Sequence, residues 1–225
     1  MTDDFDVVVV DDGSTDETPA EARRAGAAVI RHPFNLGIGG AVQSGYAYAL
    51  ENDYRVAVQV DGDGQHDRRY IQKLLDHLRS HPHLNMVTGS RFLDASGHGY
   101  RSSATRRLGI RLFARILSVI VGRQVTDPTS GFRLTCRRGI ELFARDYPHD
   151  YPEVEAILMM HAHRLESEEV PVEMRPRTSG VSSINSTRSL YYMVKVLLAV
   201  GIGLVRARPS VEAGDRAPVR AEHAL

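Results

Sequence analysis

The chain has 225 residues, with 28 Lys or Arg and 28 Asp or Glu, so its formal net charge is zero. This length allows one α/β domain with a substantial core plus a tail, but not two large domains. The balanced charge excludes a general electrostatic attraction to nucleic acid or to an anionic membrane. The single cysteine excludes an internal disulfide framework and is typical of a reducing compartment.

The charge is nevertheless unevenly distributed along the chain. Residues 1–20 carry seven carboxylates and no Lys or Arg, whereas residues 101–145 carry ten Arg and only two acidic residues. We therefore expect the acidic and basic parts of a site to come from different segments. We expect neither a signal peptide nor a membrane-spanning helix, because no uncharged apolar run approaches the roughly 20 residues that a span requires.

Predicted strands and helices alternate through the first half of the chain. FDVVVVDDGS predicts a buried strand that ends in an acidic loop, and a helix over 15–25 follows it. AAVIRH then predicts a strand and GGAVQSGYAYALEN a helix. YRVAVQV predicts a third strand, 69–80 a helix and LNMVTGSR a fourth strand. This alternation predicts an α/β fold with a mostly parallel sheet.

Five charged residues follow the ends of these strands: Asp11, Asp12, Asp61, Asp63 and Arg91. Because ligands bind at the carboxyl ends of strands in such sheets, we expect these residues to crowd one edge. In VDGDGQHD, Asp61 and Asp63 offer hard oxygen ligands that suit Mg²⁺ or Mn²⁺, although an Asx turn that caps the next helix explains them equally well. In VVDDGSTD, Asp12 could accept hydrogen bonds from a nucleotide, while Asp11 and Ser14 could simply cap a helix.

The second half has different patterns. Residues 106–121 predict an amphipathic helix, VTDPTSGFR a loop, 152–164 a helix and EEVPVEM a strand. RPRTSGVSSI is a polar loop, residues 189–205 are apolar apart from Lys195, and residues after Arg206 are predicted to be disordered. The glycines of NLGIGG fit neither a P-loop nor a dinucleotide motif, so we assign them to a tight turn and close helix packing.

Taken in order, VVVVDDGSTDET, DGDGQHD, GSR, TDPTSGFR and RPRTSGVSSI resemble family 2 glycosyltransferases of GT-A type, especially the dolichyl-phosphate mannose synthases and bacterial polyprenyl-phosphate glycosyltransferases. The resemblance covers about residues 5–205. It implies a GT-A sheet flanked by helices over 1–187, an amphipathic interfacial helix over 188–206 and a disordered tail over 207–225.

The resemblance also implies roles for particular residues. The residues that would bind the nucleotide sugar are Asp11, Asp12, Asp61, Gly62, Arg177 and Ser183. Ser183 occupies the position at which mannose synthases often have Lys. Asp61, Asp63 and Gln65 would hold Mg²⁺ or Mn²⁺. Arg106 or Arg107 would approach the acceptor phosphate. The predicted catalytic residues are Asp63, Arg91 and Asp127.

One departure from the family concerns the first strand. Members of the family begin with a strand that ends in a Pro-x-Asn-Glu type loop and a first helix, whereas this chain starts at what corresponds to their second strand. The absent strand would lie inside the sheet, so its loss would expose ladder hydrogen bonds. Either the start is assigned too late or the protein is a remnant with weak activity, and we favour the first explanation.

The implied reaction is inverting transfer of a sugar from a UDP- or GDP-sugar to a polyprenyl phosphate or another cell-envelope acceptor. A phosphate acceptor needs no strong base; a sugar hydroxyl would need one, for which Asp127 is the candidate unless it is merely a turn residue before Pro128. We expect cytoplasmic, peripheral attachment to the inner face of the cell membrane through Arg107, Arg111, Arg115 and the last helix. Packing against a membrane-protein partner or against a second protomer is an alternative for that helix. The alternatives for the protein are a non-catalytic partner of an envelope-glycan complex and a sugar-phosphate nucleotidyltransferase; no nucleic-acid partner is expected.

Overall fold

The computed structural model describes residues 5–93, 104–149 and 151–175, with the backbone alone for 104–110. Helices and strands alternate at first and then become irregular in order. The elements are β1 (Val8–Asp11), α1 (Thr18–Arg24), β2 (Ala28–Arg31), α2 (Gly37–Glu51), β3 (Val56–Gln59), α3 (Arg69–Ser80), β4 (Leu84–Ser90), α4 (Ala104–Val121), β5 (Arg133–Cys136), α5 (Arg137–Arg145), α6 (Pro152–Ala162) and β6 (Glu166–Pro171).

The described strands form two sheets. In the first, β1 and β2 pair in parallel. The second has the order β3-β5-β4-β6, in which β4 and β6 are parallel and β5 runs antiparallel to both of its neighbours. The α/β class predicted from the sequence is confirmed, but the sheet is mixed because β5 enters it in the opposite direction.

The strand β5 and the helix α5 were not predicted. β5 has only four residues, RLTC, and lies between β3 and β4, which the sequence pattern treats as successive strands. Because β5 is antiparallel, its first residue lies at the carboxyl ends of β3 and β4. The loop that precedes β5, DPTSGF, is therefore carried to the edge where the aspartates were predicted to gather.

The two described sheets are connected through a helix and one side-chain hydrogen bond. Within the described residues, β1 pairs with β2, β3 pairs with β5, and no ladder joins β1 to β3. The helix α2 contacts both β1 and β3, and the Tyr54 hydroxyl donates to the Asp6 carboxylate at 2.6 Å. The two strands thus share a helix without sharing hydrogen bonds.

The core lies on both faces of the four-stranded sheet. Every residue of β4 is buried, and neighbouring residues of this strand point to opposite faces, with Met86 in one cluster and Val87 in the other. Tyr46, Phe143 and Tyr147 pack around Met86, with ring centroids 5.1–5.7 Å apart. On the other face, α3 contributes its leucines. This packing fixes the strand ends that carry the candidate site.

Two further expectations concern helices. The glycines of NLGIGG do make a tight turn and close packing: Gly37 has φ +83°, and a Cβ on Gly39 would collide with the backbone of Pro148 and His149. Within the described part of the chain, no helix has the length and apolarity needed to cross a membrane. The predicted interfacial helix over 188–206 and the tail over 207–225 lie outside the described residues.

Candidate active site

The loop that follows β3 carries the predicted metal ligands. The backbone N–H of Gln65 donates to Asp63 Oδ1 at 3.0 Å, which closes an Asx turn around Gly64, and Gly64 has φ +74°. The Asp61 side chain is 37% exposed, so its carboxylate lies at the surface of this loop. Asp61, Asp63 and Gln65 therefore occupy one short turn, and all three carry oxygen atoms that a hard cation can use.

His66 lies under this turn, although no pattern in the sequence points to it. Its ring is stacked on Phe132 with centroids 5.0 Å apart, and its side chain is 2% exposed. The backbone N–H of Asp61 donates to His66 Nδ1 at 3.1 Å, so the neutral ring carries its proton on Nε2, which is 3.9 Å from Asp61 Oδ2. Burial lowers the pKa of the His66 imidazole, although Asp61 and Asp63 oppose the effect. A neutral histidine thus supports the backbone of Asp61.

The loop before β5 comes close to the Asp61 carboxylate. A Cβ added to Gly131 would lie 2.8 Å from Asp61 Oδ2 and 2.9 Å from Asp61 Oδ1. Such distances are below van der Waals contact, so only glycine leaves Asp61 in its observed place. The SGF segment of TDPTSGFR therefore has a steric role, which the sequence could indicate only as loop chemistry.

Met174 and Arg175, which follow β6, contact the loop after β3 from the other side. Arg175 N–H donates to the backbone carbonyl of Gln65 at 2.9 Å, and His66 and Met174 form an isolated antiparallel bridge. The Arg175 guanidinium donates to Asp67 Oδ2 at 2.9 Å. Asp67 is buried and also caps α3, and hydrogen bonds from Arg69 and Arg175 hold its pKa well below the usual range. The third carboxylate of DGDGQHD is thus structural.

Arg91 and Asp127, both predicted to be catalytic, bind each other. Arg91 Nε donates to Asp127 Oδ2 at 2.6 Å and Nη2 donates to Oδ1 at 2.7 Å, which is a bidentate pair. The Asp127 side chain is fully buried and that of Arg91 is 11% exposed. Arg91 Nη2 also donates to Thr129 Oγ1 at 2.8 Å. The pair fastens the DPTSG loop to the end of β4, and a general-base role for Asp127 would have to compete with these bonds.

Glu169 holds the other side of this loop, and it too was missed. Its carboxylate accepts hydrogen bonds from the Thr126 N–H at 2.8 Å and from the Asp127 N–H at 3.0 Å, and it also accepts one from the Thr126 hydroxyl. Burial raises the pKa of Glu169 despite these bonds. Ser90 Oγ lies 2.6 Å from Thr126 Oγ1. The loop is therefore hydrogen-bonded both to β4, through Ser90, and to β6, through Glu169. Side chains alternate along a strand, so Glu169 shares a face with Ser167 in the sequence SEEVP. This alternation was the only indication in the sequence that Glu169 points inward.

The loop after β1 holds Asp11 and Asp12. Asp11 is buried; its Oδ1 accepts the Ser14 N–H at 3.0 Å and its Oδ2 lies 3.2 Å from Arg31 Nε. Asp11 therefore closes a turn within the loop and does not cap α1, which begins at Thr18 and has no side-chain hydrogen bond at its N-cap, Glu17. A cavity of about 360 Å³ beside it is lined by Gly13, Ser14, Thr15, Arg31, His32 and Pro33.

Asp12 joins this loop to the start of α2. Its Oδ1 accepts from His32 Nδ1 and from the Leu36 N–H, both at 2.8 Å, and its Oδ2 accepts from the Gly37 N–H at 2.9 Å. Burial alone would raise the pKa of Asp12, but these hydrogen bonds outweigh it and lower the pKa. A carboxylate oxygen has two acceptor positions, so a nucleotide contact would use the one left on Oδ2.

Four predicted residues are described in part or not at all. Arg177 and Ser183 lie outside the described residues. Arg106 and Arg107 lie in the first turns of α4, for which the backbone alone is described. Gly62 is described, and a Cβ on it would meet no atom within 4 Å, so its backbone is open to a ligand.

Comparison with known proteins identifies the family. Residues 1–143 match the protein family described as glycosyl transferase family 2. The chain belongs to this family. An uncharacterized protein of Methanocaldococcus jannaschii is 32% identical over 74% of the family 2 chain and 69% of its own length. Polyprenol monophosphomannose synthase of Mycolicibacterium smegmatis is 29% identical over 84% of the chain and 74% of its own length.

A solved structure supports the GT-A fold of this family 2 glycosyltransferase. Glucosyl-3-phosphoglycerate synthase from Mycobacterium tuberculosis, in complex with Mn²⁺, UDP-glucose and phosphoglyceric acid, superimposes with a TM-score of 0.60 at 19% identity. The match covers 87% of this chain and 67% of that one. At this identity the likeness establishes the fold. The predicted resemblance to family 2 and the predicted fold class are both confirmed.

Proposed function

We propose that this family 2 glycosyltransferase transfers a sugar, with inversion, from a nucleotide diphosphate sugar to a polyprenyl phosphate, with the help of a divalent cation. The observation that carries the proposal is the meeting of three segments at one sheet edge: the Asp61–Asp63–Gln65 turn, the glycine of the TSGF loop and the Arg175 end of the described chain. The similarity to polyprenol monophosphomannose synthase supports the lipid phosphate as acceptor.

The turn after β3 fits a hard divalent cation. Asp61 and Asp63 offer carboxylate oxygens and Gln65 an amide oxygen, and Gly131 leaves the space that the Asp61 carboxylate occupies. Oxygen ligands of this kind suit Mg²⁺ or Mn²⁺, which keep other positions for phosphate and water. When bound, such a cation stabilises the negative charge of the departing nucleoside diphosphate. The Mn²⁺ and UDP-glucose in the structural neighbour are consistent with this choice.

The donor would extend from this turn toward the loops after β1 and β2. Asp11 and Asp12 fix those loops, and the residues that line the cavity beside them include Arg31 and His32. Arg177 follows Arg175 by two residues in the sequence, and the backbone N–H of Arg175 donates to the carbonyl of Gln65. We assign Arg177, and with it Ser183, to the phosphates of the donor.

The bonding of Asp127 favours a phosphate acceptor over a sugar hydroxyl. A hydroxyl nucleophile needs a base to take its proton, but both oxygens of Asp127 accept hydrogen bonds from Arg91. A phosphate is already anionic at neutral pH and needs positive charge instead of a base. Arg106 and Arg107, at the start of α4, are the residues to which we assign that charge. Arg91 then acts by holding the loop in place.

The exposed face of α4 supports attachment at a membrane surface. Leu112 is 60% exposed and Val119 is 84% exposed, and Arg111 and Arg115 are exposed on the same helix. An apolar strip beside basic side chains suits the boundary between headgroups and acyl chains. We propose a peripheral location on the cytoplasmic side, where a lipid phosphate is within reach. Recovery in the membrane fraction that high salt or carbonate releases tests this placement, and retention after both washes would contradict it.

Transfer assays test the function. Purified protein is incubated with UDP- and GDP-sugars, a polyprenyl phosphate in detergent, and Mn²⁺ or Mg²⁺, and the lipid product is separated and its anomeric configuration determined. Asp63→Ala should abolish transfer, while Asp76→Ala, an exposed carboxylate on α3, should not. Equal turnover of Asp63→Ala and wild type would remove Asp63 from the mechanism.

A second assay with a nucleoside triphosphate and a sugar phosphate, run beside the first, separates the alternatives. Release of pyrophosphate from a nucleoside triphosphate would indicate nucleotidyl transfer. Donor binding without any transfer would favour a non-catalytic partner, for which the unjoined β1 and β3 are the supporting observation.

A further inference from the structure

A second group of metal-binding side chains lies at the opposite end of α3 from the predicted cation turn. His77 lies in the last turn of α3, His81 is the C-cap residue directly after it, and Glu168 lies beside them on β6. The helix begins just after the turn that carries Asp61 and Asp63, and its rise puts His77 about 12 Å from that beginning. The two groups are therefore distinct.

The geometry of the three side chains suits one ion. One ligand atom from each of His77, His81 and Glu168 can be chosen so that all three lie within 4.8 Å of one another. His77 Nε2 lies 2.8 Å from Glu168 Oε2, and the two imidazole rings are stacked with centroids 4.3 Å apart. This ring contact places His77 and His81 side by side at the helix end, and two histidines four residues apart are a common way to present two nitrogens to a metal.

A backbone hydrogen bond prepares His81 as a ligand. His81 Nδ1 lies 2.9 Å from the carbonyl oxygen of His77. A carbonyl only accepts, so Nδ1 of the neutral ring must carry the proton, and Nε2 keeps its lone pair. Histidine ligands of metals commonly donate their other ring N–H to a carbonyl or carboxylate, which fixes the tautomer and the ring orientation.

We propose that His77, His81 and Glu168 form a binding site for Zn²⁺ or a similar transition metal, with water completing a tetrahedral shell. Two imidazoles and one carboxylate are a ligand set that Zn²⁺ accepts, whereas Mg²⁺ prefers oxygen alone. This chemistry differs from that of the Asp61–Asp63–Gln65 turn. The protein thus offers an oxygen site for a hard cation and a nitrogen-rich site for a softer one.

The bound ion would link the end of α3 to β6. Glu168 directly precedes Glu169, which holds the loop of Asp127, and α3 begins at the cap formed by Asp67. We assign the ion a structural role, because it would fix two elements that each support one side of the candidate active site. A ligand that binds only the folded state raises the free energy of unfolding, and the increase grows with the logarithm of the ratio of ligand concentration to Kd.

A metal-free alternative accounts for part of the geometry. His77 and Glu168 could form a simple ion pair, and His81 could serve only to satisfy a carbonyl at the helix end. His163 offers a matched comparison, since its Nδ1 likewise lies 2.9 Å from a carbonyl four residues earlier, that of Met159, at the end of α6. His163 does not belong to the three-residue group.

Titration with Zn²⁺ and Co²⁺ in excess Mg²⁺ tests the proposal, because Mg²⁺ occupies the oxygen site. We expect calorimetry to show one Zn²⁺ per chain, and Co²⁺ to develop visible absorption of a tetrahedral complex. His81→Ala and Glu168→Gln should each weaken binding roughly tenfold or more, while His163→Ala should not, with circular dichroism confirming that each variant is folded. Absence of Zn²⁺ binding, or equal affinity in all four proteins, would overturn the proposal.

Discussion

The close approach of Gly131 to Asp61 predicts that one added methyl group damages the site without damaging the fold. A Cβ at position 131 would lie 2.8 Å from Asp61 Oδ2, whereas ordinary contact begins near 3.4 Å, so the carboxylate must move by about 0.6 Å in Gly131→Ala. Asp61 can make this movement because its side chain is 37% exposed. The backbone of Gly131 is not in the left-handed region, so alanine adds no backbone strain.

The expected loss follows from the tolerance of a site of this kind. Productive geometry allows about 0.5 Å of error, and a displacement near 1 Å can cost about a hundredfold. We therefore expect kcat/KM for sugar transfer to fall by roughly ten- to a hundredfold in Gly131→Ala, with weaker Mn²⁺ binding. The free energy of unfolding should change by less than about 1 kcal/mol, because alanine also reduces the entropy of the unfolded chain.

Gly45→Ala is the matched control. A Cβ at Gly45, inside α2, would meet Val10 Cγ2 at 3.7 Å, which is ordinary contact, and alanine is favoured in helices by up to about 1 kcal/mol. Transfer, Mn²⁺ affinity by calorimetry and denaturant unfolding should be measured for both variants and wild type. Unchanged transfer and unchanged Mn²⁺ affinity in Gly131→Ala would refute the steric argument, and so would a loss that merely follows unfolding.

Three further predictions distinguish residues that stabilise the fold from residues that act in sugar transfer. Asp127→Asn should lower the free energy of unfolding in urea by about 3–5 kcal/mol because it breaks a buried ion pair with Arg91. Asp61→Asn should lower it by less than about 1 kcal/mol, because Asp61 is partly exposed, and should still abolish sugar transfer. Equal losses of stability in the two variants would contradict these assignments. Because burial lowers the folded-state pKa of His66, the unfolded chain takes up its proton first as pH falls below about 6.5, so stability should drop between pH 7 and 5. His66→Gln should reduce that drop, and an identical pH dependence would count against a buried neutral ring. Asp12→Ala should lower stability by about 1–2 kcal/mol through loss of the α2 cap, and a change within error would show that the cap is unimportant.

The sequence was informative wherever a local pattern decides the structure. The apolar, β-branched runs before Asp11 and Asp61 predict strands, and both strands form, although β1 and β3 are mostly half-buried where buried strands were predicted. The helix predicted over 69–80 matches α3 in full. These features depend on residues within a few positions of one another.

Features that depend on distant partners were not predictable in this way. β5 has four residues and its place between β3 and β4 rests on pairing with strands some 45–80 residues earlier, which no local periodicity reveals. The sequence shows that Asp127 is acidic, but not that Arg91, 36 residues away, binds it. For the same reason, two catalytic candidates were found in a supporting ion pair.

The residues that hold Asp61 in place also depend on partners that are distant in the sequence. His66 and Gly131 gain their roles only when β5 brings Phe132 and the TSGF loop under the turn.

Anomalous diffraction from a crystal soaked with Mn²⁺ and a nucleoside diphosphate tests the central claim most directly. The account predicts a manganese peak in contact with the carboxylates of Asp61 and Asp63, with the diphosphate bound to the ion on its outer side. A diphosphate bound elsewhere, or a manganese ion held away from these two side chains, would contradict it.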